Sequence, residues 1–170
     1  VPICREEILL IVPDEVIHKA YPDRFEEIKK KLYQSADVRL LENCPFVLLK
    51  KGNRVRTIAD ELFEDTQITP HIVLETENIE TVLALSVQGM GITFYPRMFM
   101  SSKQNLKAYH DSLMKQAGLN LFSLNYPRAH GTLAIGYHKG HYMSRATHEF
   151  IRTALEHIPS AAGLPLSTDV

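Results

Sequence analysis

The chain has 170 residues, the size of one domain or of two small lobes sharing a core, with 45% hydrophobic and 23% charged residues. Nineteen basic against twenty acidic residues give a formal charge of −1, which excludes the basic surplus of a nucleic-acid-binding module and the composition of a disordered chain. The longest apolar run, Ile8 to Val12, is far short of the ~20 residues that cross a bilayer, and Cys4 and Cys44 are too few for a disulfide framework or a zinc site. The expectation is a soluble chain with reduced thiols and no membrane partner.

Short β-branched runs alternate with helical patterns, as in an α/β sheet with helices on both faces. The first strand is expected at Ile8 to Val12, ended by Pro13. Pro22-Asp23 opens a helix with Asp23 and Glu26 as a capping box, Phe25, Ile28 and Leu32 facing the core, and Glu26/Lys30 and Glu27/Lys31 as i,i+4 pairs. A strand at Pro45 to Leu49 runs into Lys50-Lys51-Gly52-Asn53, a turn-rich loop before a helix from about Arg56 to Asp65. Ile58, Ala59, Leu62 and Phe63 are its apolar stripe.

The third strand is Ile72 to Leu74, and Asn78 caps a helix carrying Ile79, Val82, Leu83 and Val87, with Gly89 placed for a left-handed C-terminal cap. A strand at Gly91 to Tyr95 stops at Pro96, and a helix from about Lys103 to Ala117 follows, ended by Gly118. Strands at Asn120 to Leu124 and Thr132 to His138 precede a last helix, about Ser144 to His157, in which Phe150, Ile151, Ala154, Leu155 and Ile158 recur at helical spacing. The tail from Pro159 should be loose.

Gly89-Met90-Gly91 is half of a dinucleotide fingerprint, but it follows a helix and precedes a strand, the reverse of what pyrophosphate binding needs. Ser86 lacks the flanking glycines of a nucleophile elbow. His138, His141 and His148 cluster in sequence without a carboxylate or cysteine at ligand spacing, so no metal site is expected. No cofactor and no catalytic residue is expected either. The positive signal is positional, because ligands of open α/β sheets bind outside the carboxyl ends of the strands. Three strand-to-helix loops, Lys50 to Arg56, Glu75 to Asn78 and Phe94 to Pro96, would meet there. Helix N-termini joined by Lys50, Lys51, Arg54 and Arg56 suit an anionic group such as a carboxylate, unless these cations are simply solvated surface.

Cys44-Pro45-Phe46-Val47-Leu48-Leu49, Arg56, Asp60 to Phe63, Pro70-His71-Ile72, Glu75-Thr76-Glu77-Asn78, and Val87-Gln88-Gly89-Met90-Gly91-Ile92 running to Pro96 follow one another in a specific order. In that order and spacing the chain resembles the effector-binding domain of LysR-type bacterial transcriptional regulators. Leu133 to Gly140 with Phe150-Ile151 is similar to the family's closing strand and helix, and Ile3 to Pro13 looks like the strand that leaves its first lobe. The resemblance implies a type 2 periplasmic-binding-protein-like fold with a mixed, mostly parallel sheet, one complete lobe and part of a second. Residues 1–13 would end lobe one, 14–131 form lobe two, 132–158 return to lobe one and 159–170 form a flexible tail.

It further implies hinges at Val12, Pro13, Gly131 and Thr132. Gly52, Asn53, Thr76, Asn78 and Tyr95 would line the effector pocket, with Arg56 added by the anion argument. The function implied is co-inducer sensing in the cytoplasm, with no enzyme activity. A homodimer or tetramer, and DNA contact through a helix-turn-helix domain absent from this chain, belong to the full-length protein. The rival expectation is a solute-binding lobe of a transport-associated periplasmic protein.

Overall fold

The first strand, β1 (Pro2–Pro13), organises the molecule because it changes partners along its length. The computed structural model describes residues 1–101, 118–138, 140 and 142–162. After β1 come α1 (Asp14–Ala20), α2 (Phe25–Ser35), β2 (Pro45–Leu49), α3 (Arg54–Asp65), β3 (His71–Thr76), α4 (Ile79–Val87), β4 (Thr93–Pro96) and α5 (Arg97–Ser101). β5 (Leu119–Ser123), β6 (His130–Ala134) and α6 (Arg145–Ala162) complete the described chain.

The first half of β1 pairs antiparallel with β6, from Pro2 opposite Ala134 to Glu7 opposite His130. At Ile8 it passes between β4 and β5, again antiparallel, with Leu10 opposite both Phe94 and Phe122. β2 and β3 are parallel, and β2 joins the larger sheet where Val47 N–H donates to Ile92 and Ile92 N–H donates to Pro45, at 2.9 and 2.8 Å. The order is therefore β3-β2-β4-β1-β5, mixed, with β1 running against all the other described strands. Gly91 permits the junction: a Cβ there would stand 2.9 Å from the Pro45 carbonyl oxygen and 3.1 Å from Val47 Cγ2.

Alternation along β1 divides the core between two faces. Ile8, Leu10 and Val12 pack with Val16, Ile17, Ile28, Leu32, Ile58 and Leu62 from α1, α2 and α3, whereas Ile11 joins Leu83, Tyr95 and Leu119 on the α4 side. Phe46, Phe63 and Phe94 lock β2, α3 and β4 together, with Phe63 edge-on to Phe46 at 5.1 Å and to Phe94 at 5.7 Å. A separate cluster of Ile3, Cys4 and Ala154 lies where α6 covers the first half of β1.

Several sequence expectations shift. β1 starts six residues before Ile8, where the apolar run alone would put it, and one before the Ile3 that the resemblance implies, because β6 pairs the charged stretch Arg5-Glu6-Glu7. α1 is unforeseen. The Asp23/Glu26 capping box does not form: Pro22–Arg24 is a 3-10 turn, α2 begins at Phe25, and Arg24 instead pairs with Glu27, as does Lys31. Ile28 and Leu32 are buried as expected. β6 covers His130–Ala134, so the expected strand to His138 ends early. α6 runs through Pro159 to Ala162, and its apolar stripe is only partly covered, with Ala154 buried and Phe150 and Leu155 exposed. The helix expected at 103–117 and residues 163–170 lie outside the described residues.

Candidate functional site

The carboxyl ends of β2, β3, β4 and β5 all lie at the end of the sheet where β1 arrives from β6. That end holds the loops from β2 to α3 and from β3 to α4, the direct passage from β4 into α5, and the link from β5 to β6. Lys50 N–H donates to the Thr76 carbonyl at 2.9 Å, so the first two loops are held side by side. Among the described residues no group of three or more His, Cys, Asp or Glu is gathered to hold a metal, and His141 is outside them. No helix among them is long and apolar enough to cross a membrane.

Gly52 and Asn53 stand at the tip of the first loop. Gly52 adopts φ +96°, a conformation that favours glycine, and Asn53 caps α3 by accepting from Val55 N–H at 2.8 Å. Thr76 ends β3, and its hydroxyl accepts from Asn78 N–H at 3.3 Å. Asn78 in turn caps α4 through Thr81 N–H at 3.0 Å. These four residues share one end of the sheet.

Tyr95 and Arg56 are placed differently. Tyr95 is fully buried against α4, where its hydroxyl donates to Glu80 at 3.1 Å; burial, and then the Glu80 charge, push its phenol well above the usual range. Arg56 is 4% exposed. It donates to the Leu49 carbonyl at 2.8 Å, to Asp60 at 2.7 Å and to Glu75. This arginine ties α3 to the ends of β2 and β3 through its Nε and Nη1 donors.

Sequence reasoning missed a charged cluster where β1 changes partners. Glu7, mostly buried, accepts from Arg97 at the start of α5 and from the Ser123 hydroxyl at the end of β5. Glu6 next to it accepts from the Glu7 and Met98 N–H groups through Oε1, while its Oε2 is buried with no hydrogen-bond partner among the described residues. No spacing rule brings residues 7, 97 and 123 together; only the antiparallel register of three strands does.

Beside this cluster a groove of about 550 Å³ opens between the start of α3 and the β5-to-β6 link. Gly52, Arg54, Thr57 and Glu61 line one wall, Arg128 and His130 the other. Its surface joins the main body of the sheet to β6, and its volume is that of a small-molecule site. The implied hinge positions are spread out: Val12 and Pro13 pair with Asn120 and Leu119 inside the β1/β5 ladder, whereas Gly131 and Thr132 sit opposite Glu6 and Arg5.

Residues 1–159 match the LysR substrate binding domain family, and the chain belongs to that family. It is a ligand-sensing domain of the kind found in LysR-type transcriptional regulators. A relative in Bacillus subtilis (strain 168), the uncharacterized HTH-type transcriptional regulator YybE, is 29% identical over 112 residues, which is 66% of this chain and 34% of that protein. The chain spans about a third of the length of the curated relatives it matches. Among solved structures, the effector binding domain of QuiR in complex with shikimate superposes with a TM-score of 0.59 at 20% identity, covering 92% of this chain and 63% of that one. The Synechocystis PCC6803 CcmR regulatory domain in complex with 2-PG gives 0.61 at 14%, covering 92% and 64%. At these identities the likenesses show the fold.

Proposed function

We propose that this chain is the effector-sensing part of a longer bacterial regulator, working in the cytoplasm by binding and not by catalysis. A small anionic effector enters between the lobes, biases an equilibrium between open and closed arrangements, and a helix-turn-helix domain elsewhere in the protein reads the bias on DNA. The observation that carries the reading is the gathering of four strand carboxyl ends beside the point where β1 crosses to β6. The small molecules bound to QuiR and CcmR, and the helix-turn-helix naming of the Bacillus relative, support it.

In this reading Gly52, Asn53, Thr76 and Asn78 present backbone and short polar groups to the effector, while Tyr95 and Arg56 hold the walls in place. The exchange of partners between Glu7 and Ile8 supports a β1 hinge at that point in place of Val12 and Pro13, with Gly131 and Thr132 on the facing strand. Lobe two then begins at Ile8, and pairing between subunits belongs to the full-length protein. Calorimetry of the full-length protein against small carboxylates and their neutral amides tests the reading. Tighter binding of an acid than of its amide supports it, and no binding by any acid overturns the anionic class.

A further inference from the structure

Most of the positive charge at the strand ends is already neutralised. Lys50 Nζ lies 3.0 Å from Glu77, Arg56 is held by Asp60 and Glu75, Arg97 by Glu7, and Arg128 by Glu61. Lys51 lies along a different groove, at the edge of β3. Arg54 differs from the rest of the set: it lines the 550 Å³ groove and takes part in no ion pair among the described residues. Its side chain spans that groove. From the first residue of α3 the guanidinium reaches β6, where Nη2 stands 2.8 Å from the position a Cβ would take on Gly131. Gly131 clears this path for a reason of space and not of backbone conformation, since any side chain there would push the guanidinium back.

We propose that Arg54 is the residue that recognises the effector's acid group and couples that recognition to the lobes. An acid in the groove pairs with the open guanidinium, and because that guanidinium rests on β6, the ion pair links the α3 side of the cleft to the strand of the other lobe. Arg is suited to the task, since its planar fork takes a carboxylate through two parallel hydrogen bonds. The proposal rests on reading the cleft as the effector site, and it adds which cation carries the selectivity and through which contact closure is felt.

The test is calorimetry on the full-length protein with benzoate, shikimate and succinate, each beside its neutral amide. For an acid that binds, Arg54→Ala should weaken it about tenfold or more, and Arg54→Lys should retain part of the affinity, as the loss of a charge-assisted pair predicts. The amide of the same acid should bind the wild type and Arg54→Ala equally. Gly131→Ala should weaken the acid about threefold by displacing the guanidinium, a smaller effect than its removal. Because Arg54 is exposed, the unliganded melting temperature should change by no more than about 1 °C. An acid that binds wild type and Arg54→Ala alike overturns the role of Arg54 while leaving the cleft reading intact. Equal losses for acid and amide would mean a structural role and also overturn it. If no acid binds the wild type, both readings fail.

Discussion

Arg97 donates through Nε to the carboxylate of Glu7, the residue at which β1 leaves β6 for the space between β4 and β5. The Ser123 hydroxyl donates to the same carboxylate, so one buried acid joins the end of β4, the end of β5 and the crossing strand. Glu7→Ala leaves a guanidinium and a hydroxyl without their acceptor and should cost about 1–3 kcal/mol of stability, read from urea unfolding. Arg97→Ala leaves the Glu7 side chain, only 12% exposed, with the Ser123 hydroxyl alone, and should cost a similar amount, about 1–3 kcal/mol. Equal and negligible effects would show that the crossing is held by strand pairing alone.

Arg56 supplies the second mutational prediction. Replacing it with Met keeps the buried stem but removes the donor to the Leu49 carbonyl and the partner of Asp60 and Glu75. The two carboxylates are more than a third exposed and regain water, so the loss falls mainly on the buried carbonyl and should be about 2 kcal/mol in an unfolding titration. Effector affinity should change less than stability does. A loss of affinity without a loss of stability would contradict the bracing role.

Glu6 sets a pH dependence. Burial raises its folded pKa above the ordinary 4.5, against N–H donors from Glu7, Met98 and Arg97 that work to lower it. A carboxyl whose folded pKa lies above its unfolded value contributes stability that is full below the unfolded pKa and is lost as pH rises through the folded one. Glu6→Gln has no proton to lose. Between about pH 4 and 7 the variant should therefore gain in melting temperature relative to wild type as pH rises. A difference that stays flat across that range would show that Glu6 titrates alike folded and unfolded.

The thiols should be inert. Burial pushes the Cys44 thiol up to about 12, and burial with the nearby Glu6 charge raises Cys4 as well. Neither should react with a disulfide reagent at about pH 8 in the folded protein, where so little of each is thiolate, and both should react after unfolding in urea. Prompt reaction of either in the native state would show that the thiols are not held in the core.

Elements with a local cause were legible in the sequence. β2 at Pro45–Leu49 reads correctly because apolar residues run unbroken between proline and a lysine turn, and α4 because Asn78 caps a periodic stripe. What escaped depends on partners distant in the chain. The apolar run alone does not reach the charged start of β1, which is a strand because β6 lies beside it and which only the family resemblance indicates. Arg56 is a brace because Glu75 is 19 residues on along β3. The gathering of the strand-to-helix loops at one end of the sheet was foreseeable from strand and helix order, while the Glu7 cluster and the groove at Arg54 needed the register.

Hydrogen exchange on the full-length protein, with and without an acid that binds, tests most directly the claim that the ligand sits at the strand carboxyl ends. The account predicts added protection in residues 52–55, 76–78 and 130–131, with little change in the groove formed by Ala36, Arg39, Thr66 and Tyr126. Protection concentrated in that second groove, with the three loop segments unchanged, would contradict it.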